Sequence, residues 1–188
     1  MKSIRVQATG PRPFKIAQEG KYFAFVIAGL LLVHAAWWNA GIPLGDEGVH
    51  ILQGLRILRG ELSVNPYYLA YAALLSGITS DPVIAHLILR FLSSVASTIG
   101  LYFLLRAFRG ISATGATLSS IAWAGAALCT PYTQSGNNSV FCLALTVPAL
   151  AYLLRSPSVT SILVYVLCTF WAANVRPEYL VPLVLIPI

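Results

Sequence analysis

The sequence predicts an all-α protein that crosses a membrane several times. Hydrophobic residues make up 57% of its 188 residues and charged residues only 10%, whereas about a quarter of the residues in an ordinary globular domain are charged. The mean hydropathy of +0.77 is correspondingly high. Several uncharged stretches approach or exceed the roughly 20 residues that a helix needs to cross a bilayer. A soluble helical domain would need polar faces on its helices, and these stretches have none.

The predicted architecture has five complete spans, a truncated sixth and an amphipathic helix on the outer face. Four of the complete spans are continuous apolar runs, and Arg90 is the one charged interruption, in the second. The span over 139–154 is short unless it extends back towards Gln134, and Pro148 should kink it. The predicted spans cover residues 22–44, 82–105, 111–131, 139–154 and 157–175.

Two other apolar segments do not meet the length of a span. Residues 67–76 lie between polar stretches, which predicts an interfacial or re-entrant helix. The run over 180–188 stops after about nine residues, so we expect the natural protein to continue and this chain to be its N-terminal part. The predicted organisation is a cytoplasmic tail over 1–21 and a transmembrane module over 22–188, with an outer loop at 45–66.

The distribution of lysine and arginine predicts the orientation. The cations of the tail and of the connections after the second and fourth spans fall on one side of the membrane, and five of the six acidic residues fall on the other. Cytoplasmic segments carry the excess of lysine and arginine, so the N-terminus is predicted to be cytoplasmic. The first apolar run is too long for a cleaved signal peptide and is expected to remain as an anchor. The net charge of +6 is therefore a topology signal and does not predict a nucleic-acid partner.

Most of the functional signal lies at Gly45-Asp46-Glu47-Gly48, in the outer loop. Over 47–59, apolar residues recur at helical spacing between polar ones, which predicts a helix in the interface that ends at Gly60. Asp46 suits the N-cap of this helix, with Glu47 in its first turn. Capping is compatible with catalysis, because a carboxylate fixed at a helix start is also held rigidly for proton transfer.

Arg90 is the second unusual feature, because it lies inside a predicted span. Counting from Pro82 places its Cα about 12 Å along the helix, where a cation needs an anionic partner or a water-filled cavity. Two interpretations remain open. Either Arg90 extends back to the outer surface, or it faces a cavity towards Asp46 and Glu47 and binds a phosphate or steadies the acidic pair. Asp81 precedes Pro82 and predicts a plain N-cap.

Other polar residues are open to a structural and a functional interpretation. His50 follows Asp46 by four residues, but two candidate ligands do not make a metal site, and a hydrogen-bonded interfacial histidine is the ordinary explanation. Arg176-Pro177-Glu178 is either a helix boundary with a local ion pair or the border of the same outer cavity, where it would bind the lipid phosphate.

Aromatic and small residues are assigned mainly structural roles. The pattern of interfacial anchors is matched by Tyr67, Tyr68, Tyr71, Trp37 and Trp38, and the alternative for the tyrosines is that they line an acceptor groove. His34 and His86, inside predicted spans, are each expected to hydrogen-bond a neighbouring helix. The third span is rich in serine, alanine and glycine and predicts a close helix-packing surface with Ser112, Gly115, Ser119, Ser120 and Gly125.

Five short motifs occur in a fixed order from about Tyr22 onward. They are Gly45-Asp46-Glu47-Gly48-Val49, Asn65-Pro66-Tyr67, Leu89-Arg90-Phe91-Leu92-Ser93-Ser94, Thr130-Pro131-Tyr132 and Arg176-Pro177-Glu178. In their order and membrane placement they resemble the N-terminal module of C-type (GT-C fold) glycosyltransferases. The nearest group is the bacterial and archaeal relatives of dolichyl-phosphate-mannose protein mannosyltransferases.

The resemblance implies a polytopic enzyme that transfers a sugar from a polyprenyl-phosphate carrier, with inversion, to a protein, lipid or glycan acceptor on the outer face. It implies a bacterial plasma membrane, with the endoplasmic reticulum as the alternative, and an N-terminal part that is not necessarily active alone. Asp46 would be the general base and Glu47 would shape the site. Arg90 would contact the lipid-linked phosphate. The other expected substrate-binding residues are Arg176, Glu178, His50 and Asn138.

The chain departs from this pattern between the third and fourth spans. Many relatives carry another acidic residue there, but Tyr132-Thr133-Gln134-Ser135-Gly136-Asn137-Asn138-Ser139 contains no carboxylate. A divalent cation is therefore unsupported, and no metal site or cofactor is assigned. Asn138 and the neighbouring amides remain able to hydrogen-bond a sugar.

Two other functional classes remain. The first is a transporter or flippase component in which Arg90 and the outer carboxylates line the substrate path. The second is a catalytically silent membrane scaffold. A transporter predicts charged or broken helices near the midplane in both halves of the molecule, whereas the enzyme predicts charges at the outer rim. The charges of this chain favour the rim.

Overall fold

The computed structural model describes residues 16–37, 46–108, 110–129 and 136–181. Within these ranges the chain forms seven α-helices and one short 3-10 helix and contains no β-strand, which confirms the all-α prediction. The helices are α1 (Ile16–Trp37), α2 (Asp46–Leu58), α3 (Pro66–Gly77), α4 (Pro82–Ala107), α5 (Ala113–Cys129), α6 (Gly136–Arg155), α7 (Val159–Val175) and the 3-10 helix Pro177–Leu180.

Helix α4 is the centre of the bundle and packs along α6 and α5. It runs parallel to α6, because Gly100 contacts Pro148 and Phe103 lies against Arg155 near the ends of both helices. It runs antiparallel to α5, where Trp123 Nε1 donates a hydrogen bond to Ser97 Oγ (3.3 Å). Helix α7 returns along α6, and α1 packs on α5.

Helix α2 lies in the segment predicted as the outer loop and packs against α3, which matches the separate helix predicted over 67–76, next to the first half of α4. Gly54 makes the close approach possible, because a Cβ there would lie 2.7 Å from the Cβ of Tyr71. Between α3 and α4 lies a core of large apolar side chains, with Ile51 and Leu55 of α2 packed against it. The buried members of this core are Tyr67, Tyr71, Leu74, Leu75, Ala85 and Leu89.

Side-chain caps define the starts of α3 and α4. Asn65 Oδ1 accepts a hydrogen bond from the Tyr67 N–H (3.0 Å), and Asp81 Oδ1 accepts one from the Val83 N–H (2.7 Å). In both helices proline occupies the first turn, where its missing N–H costs nothing. The prediction that Asp81 is an N-cap is confirmed.

Two helical segments in the described residues are long and apolar enough to cross a membrane, Pro82–Ala107 and Asn138–Arg155. They correspond to the predicted second and fourth spans. Gly20–Leu32 and Val159–Val175 are apolar but shorter, and α5 has 17 residues. Helix α1 begins at Ile16, earlier than the predicted position 22, because the good helix formers Ala17 and Gln18 continue the helix into polar sequence.

On α7, large apolar side chains face outward, while the buried face carries mainly small and polar ones. Helix α7 exposes Leu163, Leu167, Phe170 and Trp171, each by more than half of its surface. The same helix buries Ser161, Tyr165, Thr169 and Ala172. Elsewhere the buried polar residues include Ser93, Ser94, Ser97, Thr98, Thr117, Ser120 and Thr146. A soluble protein has the reverse distribution, and this one is typical of helices that face lipid.

Two structural assignments from the sequence need correction. Tyr67 and Tyr71 are not surface anchors, since they are 2% and 0% exposed and fill the core under α2. In the third predicted span the packing face is formed by residues at i, i+4 and i+8, namely Ala116, Ser120 and Ala124. Ser119 is exposed and Gly125 borders open space, so neither belongs to that face.

Candidate functional site

The two ends of the helix bundle differ in chemistry. At one end, which we call the basic end, Arg155 lies over the Phe103 ring (5.4 Å) and Arg106 Nη1 donates a hydrogen bond to the Ile111 carbonyl (2.8 Å). The other end, which we call the His50 end, is formed by α2, α3, the starts of α4 and α6, and the end of α7. At about 1.5 Å per residue, Arg90 and Arg106 are about 24 Å apart along α4.

His50 and Asn138 are joined by a hydrogen bond. Asn138 Nδ2 donates to His50 Nε2 over 2.8 Å, and the two residues are 88 positions apart in the sequence. Both side chains are half-buried. With Nδ2 as the donor, His50 Nε2 is the unprotonated ring nitrogen. Two residues that the sequence analysis named separately as substrate-binding candidates therefore form one group between α2 and α6.

Aromatic side chains of α3 surround His50. Tyr67 meets the imidazole edge-on, with ring centroids 5.3 Å apart, and Tyr68 lies at 5.6 Å with the ring planes 32° apart. The Phe141 ring of α6 also packs against Tyr67, with the ring centroids 5.2 Å apart. Amide, imidazole and aromatic groups together are able to hold a ligand that has both polar edges and an apolar face.

A second hydrogen bond ties α3 to α4 beneath this aromatic group. The Tyr71 hydroxyl and His86 Nδ1 are hydrogen-bonded, and their rings are stacked 16° from parallel. The expectation that His86 bonds a neighbouring helix is confirmed. His86 is 1% exposed, and both Arg90 and His50 lie within electrostatic range of it. The sequence analysis missed the pairing with Tyr71, although the Tyr67-Tyr68-Tyr71 spacing places those residues within one turn of α3.

Arg90 lies one turn after His86 on α4 and is half-buried. Helix α2 begins at Asp46, one residue earlier than the predicted helix over 47–59. Asp46 is therefore the first helical residue and not the predicted N-cap, and it lies one turn before His50. The side chains of Asp46 and Glu47 fall outside the described part of the structure, so their predicted contact with Arg90 stays a prediction.

Arg176 and Glu178 form the predicted local ion pair, with Arg176 Nη1 and Glu178 Oε1 2.7 Å apart. Hydrogen bonds from its own backbone N–H and from Arg176 lower the pKa of the Glu178 carboxyl. Burial raises the pKa of Tyr179 to about 12, so its hydroxyl stays protonated and donates to the Ser139 carbonyl (3.4 Å). The Arg176 motif therefore lies beside Asn138, at the His50 end.

Among the residues that the structure describes, no group of three or more histidine, cysteine or acidic side chains is placed to hold a metal ion. The structure does not describe residues 130–135. They belong to the loop in which many members of the family that the motifs resemble carry another carboxylate. No family model, curated protein or solved structure matches the chain.

Proposed function

We propose that the protein is a membrane glycosyltransferase that moves a sugar from a polyprenyl-phosphate donor to an acceptor at the outer face. The observation that carries this proposal is the grouping of His50, Asn138, Arg90 and Arg176 at one end of the bundle. These residues come from four separate elements. Three of the motifs that resemble C-type glycosyltransferases, those that contain Tyr67, Arg90 and Arg176, contribute to the same end.

The residue types suit a single displacement at the anomeric carbon. Such a reaction needs a base on one face of the sugar and charge stabilisation for the departing phosphate on the other. Asp46 removes the proton from the acceptor hydroxyl, and Glu47 shapes the site around it. Arg90 stabilises the departing lipid phosphate, and Arg176 also binds this phosphate. Attack from the face opposite the leaving group inverts the anomeric configuration, as in inverting glycosidases.

The membrane arrangement that we propose has five spans, a cytoplasmic N-terminus and the His50 end on the outer face of a bacterial plasma membrane. The outward apolar surface of α7 and the cations at the basic end support it. Within Pro82–Ala107 and Asn138–Arg155, Arg90 is the one charged residue away from the helix ends. This pattern favours an enzyme with charges at its rim over a transporter with charges at the midplane.

Cysteine labelling tests the orientation with two matched serines. Ser80 lies just before α4 at the His50 end, Ser156 lies just after α6 at the basic end, and both are exposed. With the three native cysteines replaced by alanine, we expect a membrane-impermeant maleimide to label Ser80→Cys in intact cells and Ser156→Cys only after permeabilisation. Labelling of both positions in intact cells, or the opposite pattern, contradicts the proposed topology.

Arg90→Gln tests the proposed reaction. A hydrogen bond to a charged group contributes about 1.5–3 kcal/mol, so loss of the guanidinium should reduce transfer from the polyprenyl-phosphate sugar by about 10- to 100-fold. Arg59→Gln is the control, because Arg59 is exposed at the end of α2. Transfer is measured in membranes containing each variant, with its melting temperature in detergent. Wild-type transfer by a folded Arg90→Gln protein would rule out the assigned role.

A further inference from the structure

We propose that His50 and Asn138 form a subsite that binds the hydroxyl groups of the donor's sugar ring between α2 and α6. This inference rests on the proposed function and names what the His50 end recognises. Arg90 is assigned to the phosphate of the donor, and the His50–Asn138 pair is assigned to its neutral, hydroxylated ring.

The first argument is an acceptor atom without a donor. Asn138 Oδ1 is buried and accepts no hydrogen bond from any described residue, while Nδ2 of the same amide is used by His50. A buried polar atom left in this state costs about 1–3 kcal/mol. A ligand group that donates a hydrogen bond would remove this cost. A sugar hydroxyl donates, whereas an ionised phosphate oxygen only accepts and would be repelled by Oδ1.

The second argument is the position of the hydrogen bond. Helix α2 packs mainly against α3, and α6 packs mainly against α4 and α7. Among the described residues, α2 and α6 have no extensive interface of their own. The bond between His50 and Asn138 therefore places two polar groups between helices that pack mainly elsewhere, where a ligand can lie.

The third argument is the aromatic surface next to the pair. Tyr68 is half-buried, so part of its surface stays accessible, and its ring lies 5.6 Å from the His50 ring at 32° to it. A pyranose has hydroxyl groups at its edge and C–H groups on its faces. An amide and an imidazole suit the edge, and a tyrosine ring suits a face. The same combination offers no charge to a phosphate.

The test compares decaprenyl-phosphate mannose, a phosphodiester, with decaprenyl phosphate, a phosphomonoester that lacks the sugar, by their binding to the protein in nanodiscs. The effect of each variant is measured on each ligand separately. We expect Asn138→Ala to weaken binding of the mannosylated carrier about tenfold, the effect of one hydrogen bond. Binding of decaprenyl phosphate should be unchanged. Asn174→Ala, at an exposed asparagine on α7, is the control and should change neither affinity.

Three results would contradict the subsite or the proposed function on which it rests. Equal weakening of both ligands by Asn138→Ala, or no weakening of either, overturns the subsite and leaves the proposed function standing. Wild-type protein that binds neither carrier overturns the proposed function and the subsite with it. If Asn138→Ala does not fold, Tyr68→Leu replaces it. Selective loss of the mannosylated carrier then supports the subsite, and equal loss or no loss overturns it.

Discussion

Replacing Asp46 with asparagine should reduce sugar transfer by about 100-fold or more and leave donor binding nearly unchanged, since general-base catalysis typically contributes about 10²- to 10⁴-fold. Asparagine has almost the same shape as aspartate, so the first turn of α2 should be kept. It is unable to accept the proton of the acceptor hydroxyl. The variant therefore separates the structural role of a carboxylate at the start of α2 from its chemical role.

Asp81→Asn is the matched control for this experiment. Asp81 also stands at the start of a helix at the His50 end, where its carboxylate caps α4 through the Val83 and Ile84 N–H groups. Asparagine preserves such a cap, so this variant should keep wild-type transfer. Transfer is measured as the labelled sugar that passes from a polyprenyl-phosphate donor to the acceptor. Near-normal activity of Asp46→Asn would exclude Asp46 as the base, and parallel losses in both variants would indicate damage to the fold.

The parts of the fold that the sequence predicted depend on local signals. The start of α4 was predictable because Asp81 and Pro82 are adjacent and each acts within one helical turn. Its length followed from an apolar run that Arg90 alone interrupts. The ion pair between Arg176 and Glu178 was predictable for the same reason, since the partners are two residues apart.

The parts that were wrong or missed depend on contacts between distant segments. Tyr67 and Tyr71 are of the residue type found at membrane interfaces, but contacts with α2 at Gly54, with His86 of α4 and with Phe141 of α6 bury them. His50 and Asn138 were both named as candidates, but a pairing across 88 residues has no local signal. Their hydrogen bond is a consequence of how α2 and α6 are placed around α3 and α4.

Gly100→Val should produce the largest loss of stability, about 1–3 kcal/mol or more, because overpacking a tight contact costs that much. A Cβ at Gly100 would lie 2.6–2.8 Å from the ring and nitrogen of Pro148. These atoms belong to a rigid ring and to the backbone, so α4 and α6 must separate to accept the side chain. Valine and glycine differ little in helix propensity, so the loss of stability reports the contact itself.

Gly125→Val is the control for this stability measurement, because a Cβ at Gly125 meets nothing within 4 Å. Melting temperatures in detergent should fall for Gly100→Val and stay close to wild type for Gly125→Val. Equal melting temperatures of the wild type, Gly100→Val and Gly125→Val would show that α4 and α6 are not tightly packed at Gly100.

The same substitution should also lower sugar transfer, although Gly100 lies about 15 Å from Arg90 along α4. Helix α4 carries Arg90 and α6 carries Asn138, and the two helices run parallel from the site to the contact of Gly100 with Pro148. A displacement at that contact therefore changes the separation of the two site residues. A misplacement of about 1 Å is able to cost about 10²-fold in rate. Loss of stability with full transfer would mean that the site does not depend on this crossing.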